Sequence, residues 1–148
     1  MEFRDYLAFL EKLRKELTDL TAVEQKKISA VQAGDLDALD ACMKQEQAAT
    51  LALRGQEQQR TELLRQLGLE QIPLRQLSQH APDALRQETQ QLVEQVLRAY
   101  EILSSAQSTA RTLMENDLHQ IEKQLEHGSK GSQNPPEQGP ARKTDFRA

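Results

Sequence analysis

Aromatic residues make up only 3% of the 148 residues, and tryptophan is absent. That excludes a thick, aromatic-rich core and leaves aliphatic side chains and alanine to do the packing. Cys42 is the only cysteine. No intramolecular disulfide can form, and a reducing cytoplasm is the expected setting. No stretch approaches the ~20 apolar residues of a membrane span. The start of the chain, MEFRDYLAFLEKLRKEL, carries charges every few residues and lacks the apolar centre of a signal peptide. Stable membrane insertion is therefore not expected. Positive charge is not in surplus either, the formal net charge being −4. Nucleic-acid binding needs concentrated positive charge against phosphate, so it is not the expected task.

Groupings that carry catalysis are missing as well. There is no glycine-rich phosphate loop. His119 and His127 lie eight residues apart, and His80 falls between helices. Glu115, His119 and Glu122 share a helix face, but a metal site in a bundle also needs a matching set from a second helix. Cys42 has no histidine at a useful spacing. The expectation is a protein without cofactor, metal or catalytic residues, and not an enzyme.

What is present is helix-forming sequence with seams of apolar residues. Phe3, Tyr6, Leu10, Leu13, Leu17 and Leu20 advance in alternating steps of three and four, the signature of a helix packing along one face. Leu7 widens its start, and beyond Leu20 the apolar residues drift to Val23, Ile28 and Val31. The junction Val31-Gln32-Ala33-Gly34-Asp35-Leu36 pairs a glycine suited to ending a helix with an aspartate suited to starting one. It predicts a tight turn between two helices, at about 2–33 and 36–67. The second seam reads Leu36, Leu39, Met43, Glu46, Thr50, Leu53, Glu57, Arg60, Leu64 and Leu67, apolar at both ends and polar in the middle. Gly55 lies within this helix, and Gly68 closes it. A short helix at about 73–80, opened by Pro73, leads to a third helix at about 83–126. Its seam is Leu85, Thr89, Leu92, Val96, Ala99, Leu103, Ala106, Ala110 and Leu113, then Leu118, Ile121 and Leu125 one residue out of phase.

The fold expected is all-α: an elongated antiparallel helical hairpin plus a long third helix, a three-helix bundle or coiled coil over residues 1–127. From Gly128 the composition changes to GSKGSQNPPEQGPARKTDFRA. It offers too little apolar surface to offset its ordering entropy, so a disordered tail is expected over 128–148. That tail carries a net charge of +2, which leaves −6 for the rest. A basic tail on an acidic body reads either as a docking arm or as a solvated terminus.

This layout resembles the FlgN family, flagellar export chaperones of the type III secretion class. The best-matching stretch is Lys27 to Leu69, with Gly34-Asp35-Leu36-Asp37-Ala38-Leu39 standing where the family has a GDLEAL-like turn. Leu63-Leu64-Arg65-Gln66-Leu67-Gly68 stands at its "LL..LG" stop, and Asn116 resembles an asparagine in the second half of the family's third helix. The resemblance implies cytoplasmic partners: the hook–filament junction proteins FlgK and FlgL, gripped by a C-terminal amphipathic segment, and the flagellar export gate. Some members use a tyrosine late in the chain at the gate. No tyrosine follows Tyr100 here, so that role is not carried over. Gripping an amphipathic segment is helix-in-groove recognition. The candidate client-binding residues are Leu113, Leu118, Ile121 and Leu125, with Ala106 and Ala110 flooring a groove. The competing reading is a structural coiled-coil module that self-associates through the same stripe into a stable dimer or tetramer, whereas the chaperone is expected to form at most a weak homo-oligomer.

Overall fold

The computed structural model describes residues 2–129, and for Ile121, Gln124 and residues 126–129 the main chain alone. Every regular element among the described residues is helical. α1 is Phe3–Ala33, α2 is Leu36–Gln66 and α3 is Arg86–Ser129; between α2 and α3 lie a 3-10 helix at Leu74–His80 and a single 3-10 turn at Asp83–Leu85. The long third helix therefore begins in tighter winding than an α-helix, with Leu85 N–H donating to the Pro82 carbonyl at 2.8 Å. Compact packing divides the chain between Leu113 and Met114, and α3 contributes to both units. At its far end α3 includes Gly128 and Ser129. The rest of the expected tail lies outside the described residues.

Local chemistry sets the helix ends. The Glu2 N–H donates to the Asp5 carboxylate at 2.9 Å and starts α1. At the other end Gly34 adopts φ +68°, where a side chain would be strained. There Gly34 N–H reaches the Val31 carbonyl at 3.2 Å and Asp35 N–H reaches Ala30 at 3.0 Å, which satisfies carbonyls that a helix end leaves open. Asp35 at once caps α2, its Oδ1 accepting the Ala38 N–H at 3.0 Å. Two residues thus reverse the chain. The same closure recurs at Gly68, φ +72°, with Leu69 N–H on the Leu64 carbonyl at 2.8 Å.

In the first unit one apolar core joins all three helices. It takes Phe3, Tyr6, Leu7, Phe9, Leu10, Leu13, Leu17 and Leu20 from α1, Leu64 from α2, Leu77 and Ala81 from the crossover, and Leu92, Val93, Val96, Ala99 and Leu103 from α3. Thr89 is also fully buried, its hydroxyl donating to the Leu85 carbonyl at 2.7 Å.

Two seams depart from their sequence reading. In α1 the inward face does not drift after Leu20. It keeps its three–four step to Glu24, which is buried, and to Lys27 and Val31, which are half-buried. Only the chemistry changes, from leucine to charge. In α2 the positions Leu39, Glu46, Leu53, Arg60 and Leu67 do face inward. The alternate column lies one residue earlier than the sequence suggests at Cys42, Ala49 and Gln56, and returns to the expected position at Leu64, which is buried. Leu36 and Met43 consequently stand 76% and 38% exposed. Hydrophobicity marked Met43 because the true inward column is filled by small or polar residues.

The glycines give a test of opposite signs. Gly34→Ala is expected to destabilise the fold by about 1 kcal/mol, because the left-handed conformation strains a side chain. Gly55 lies within regular helix, and a Cβ there meets nothing within 4 Å. Gly55→Ala is therefore expected to stabilise by up to about 1 kcal/mol. Denaturant midpoints of the two variants against the parent chain check both.

Candidate functional site

Two polar layers interrupt the packed seams of the first unit. In the lower one, Tyr6 of α1 meets Glu57 and Arg60 of α2 and Tyr100 of α3. Tyr100 donates from its hydroxyl to Glu57 Oε1 at 2.6 Å, and Arg60 pairs with Glu57 at 3.5 Å. The Tyr6 hydroxyl is buried without a hydrogen-bond partner, and burial pushes its pKa up to about 12. Burial and the hydrogen bond to Glu57 likewise hold the Tyr100 phenol above its ordinary value. Both phenols are neutral at physiological pH, so the layer's charge is the Glu57–Arg60 pair.

The upper layer is Glu24 and Lys27 of α1 against Glu46 of α2. Lys27 Nζ lies 3.0 Å from Glu46 Oε2 and 4.0 Å from Glu24 Oε2. One ammonium therefore serves two carboxyl groups at a helix interface. Both layers fix the antiparallel register of the hairpin, since Tyr6 lies against Arg60 and Lys27 against Glu46.

Near the turn, α1 and α2 present a shallow groove of about 710 Å³. Ala22, Ser29 and Ala33 line one wall and Ala38, Ala41 and Cys42 the other. Small side chains at three–four spacing leave the helix backbones accessible. The sequence reading did not pick out this groove. Its signal is a run of small residues on the two arms beside the turn, visible only once the arms are paired in register.

The six residues expected to bind a client divide between the two units. In the first, Ala110 is 1% exposed. Ala106 and Leu113 are half-buried. Leu113, Ser108, Thr109 and Thr112 line a small surface depression. In the second unit Leu118 is half-buried and Leu125 is 52% exposed. Ile121 falls between them on the helix, and its side chain lies outside the described residues. Positions 118, 121 and 125 share one face by their spacing.

Among the described residues no group of three His, Cys, Asp or Glu side chains is placed to hold a metal ion. None of the described helices is long and apolar enough to cross a membrane. What the surface offers is apolar area and small-residue grooves on helices, suited to contact with another helix. Residues 1–135 match the family model described as FlgN protein. No curated protein and no solved structure matches the chain significantly.

The lower layer separates a useful hydroxyl from an idle one. Tyr100→Phe is expected to cost about 1–2 kcal/mol, because the hydrogen bond to the Glu57 carboxylate is lost. Tyr6→Phe removes a buried hydroxyl that has no partner, so it is expected to be neutral or slightly stabilising. Urea denaturation of both variants checks the contrast, and an equal loss in the two would refute it.

Proposed function

Because the chain belongs to the FlgN family of flagellar export chaperones, we propose that its clients are the hook–filament junction proteins FlgK and FlgL. It binds their C-terminal amphipathic segments in the cytoplasm and delivers them to the export gate. FlgN chaperones are not enzymes, and nothing in this cycle requires a covalent step. An aggregation-prone amphipathic helix is kept apart from its own kind when its apolar stripe lies on a complementary apolar surface.

What supports a client surface late in α3 is one observation: in the second unit the leucines at 118 and 125 retain exposure on one helix face. Exposed leucine on a helix otherwise rich in Glu and Gln has a local cost that a client would relieve, at roughly 25 cal/mol for each Å² covered. Leu118 and Leu125 form the contact, with Ile121 completing the stripe by position. Leu113 and Ala106 are further candidates, at half-buried positions of the first unit. Binding gains from apolar burial and loses the entropy of ordering the client. Moderate affinity is the expected balance, and it suits a client that must later be released.

Calorimetric titration with the C-terminal helical segment of a flagellar hook-associated protein from the same organism tests the reading. One-to-one binding at micromolar strength or tighter is expected. Leu118→Asp combined with Leu125→Asp should weaken it by about a hundredfold or more, with helix content by circular dichroism unchanged, since each aspartate replaces roughly 1–3 kcal/mol of apolar contact. Absence of binding together with self-association would instead favour the structural coiled-coil module.

A further inference from the structure

The upper polar layer contains a group that no client-binding role uses. Glu24 is 1% exposed, and its Oε1 has no hydrogen-bond partner. It points into the α1–α2 interface on the uninterrupted inward face that runs from Leu17 and Leu20. The charged groups facing it are Lys27 from α1 and Glu46 from α2. Lys27 is committed mainly to Glu46, at 3.0 Å against 4.0 Å for Glu24. With both carboxyls ionised, the cluster buries two negative charges on one positive charge. With one proton added, it holds an ammonium, a carboxylate and a neutral acid, and the acid can donate to the carboxylate. A buried charge without a full partner is expensive, whereas a neutral hydrogen-bonded acid is not.

We propose that a single proton held between Glu24 and Glu46 latches the turn-proximal half of the hairpin, and that its loss loosens α1 from α2 there. Burial, the hydrogen bond to Glu46 and the charge of Glu46 push the Glu24 pKa up to about 7, against the opposing pull of Lys27. Burial also acts upward on Glu46, but its hydrogen bonds to Glu24 and Lys27 and the lysine's charge outweigh it, so its pKa is lowered and it keeps its charge. The proton therefore resides on Glu24. A carboxyl whose folded pKa lies above its unfolded one binds more proton in the folded state. Its stabilisation is complete below the unfolded value of 4.5 and is lost as pH rises to about 7. The latch also flanks the small-residue groove, whose lining includes Gln25 and Lys26 beside Glu24 and Gln45 beside Glu46. Loosening the layer changes the separation of the two walls of that groove.

Native-state hydrogen exchange on the full chain, corrected for intrinsic rates, reads the latch directly. Between pH 5 and pH 8 the opening constant of amides in residues 20–31 and 42–50 should rise, by up to about tenfold per pH unit within the window. Amides in residues 10–17, packed in leucine, should not follow. Glu24→Gln keeps the shape and the hydrogen-bond donor but cannot ionise, so its opening constants should be independent of pH. No rise in the parent chain, an equal rise at residues 10–17, or the same rise in Glu24→Gln would overturn the proposal. Should that variant fail to fold, carbon-13 titration of the side-chain carboxyls in the parent chain decides. A Glu24 midpoint near neutrality supports the latch, and one at the ordinary 4.5 refutes it.

Discussion

The constraint on which the first unit depends is the unbroken inward face of α1. From Phe3 to Val31 the helix never changes the side it presents, and positions three and four residues apart keep returning to it. An α-helix with so long a stripe must be covered along it. One helix cannot cover a stripe widened by Leu7 and Phe9 at its start, so the core draws on both α2 and α3 there. The hairpin turn follows from the same requirement. A connection of two residues holds α2 antiparallel and in register, and Gly34 and Asp35 supply it by ending one helix and capping the next with hydrogen bonds from the same few atoms.

Two polar layers cross this face, and their costs differ. In the lower layer the buried groups are mainly neutral phenols, and its strongest contact joins a phenol to a carboxylate, so less charge is taken out of water there. The upper one sets two carboxyls and an ammonium where leucines would pack more cheaply. Replacing such a cluster by apolar residues often stabilises a fold. What the cluster supplies is register: a one-residue slip of α2 would remove Glu46 from Lys27 and break the ion pair that joins the two helices. In a helix pair whose remaining inward residues near the turn are alanine, cysteine and half-buried aliphatics, apolar packing alone discriminates weakly between registers.

The sequence made the elements legible because their boundaries are local chemistry: glycine at Gly34 and Gly68, a cap at Asp35, proline at Pro73 and Pro82. The α3 seam from Thr89 to Ala110 was legible for the same reason, since hydrophobicity and burial coincide there. Where they part, the reading failed. Leu36 and Met43 look like core and are exposed, while Glu24 and Gln56 look like surface and are buried. A periodicity built on hydrophobicity cannot follow a seam through charged residues. The clue available was the step itself: continuing three–four from Leu20 lands on Glu24 and Lys27. For the client surface, the small residues at 106 and 110 suggested the floor of a groove; Ala110 is buried and Ala106 half-buried, and sequence alone does not distinguish the two.

Chaperoning by helix contact sets two demands that pull against each other. The protein must present apolar helix surface to a client, and it must not satisfy that surface with its own body or with a second copy. Leucine at every inward position would give a more stable bundle, but one indifferent to register and prone to recruit any amphipathic helix, its own included. Charged residues on the inward face restrict how α1 and α2 can pair with each other and with other copies. On the client surface proposed above, a few leucines on one face would hold a matching helix with moderate strength and drive little assembly without one.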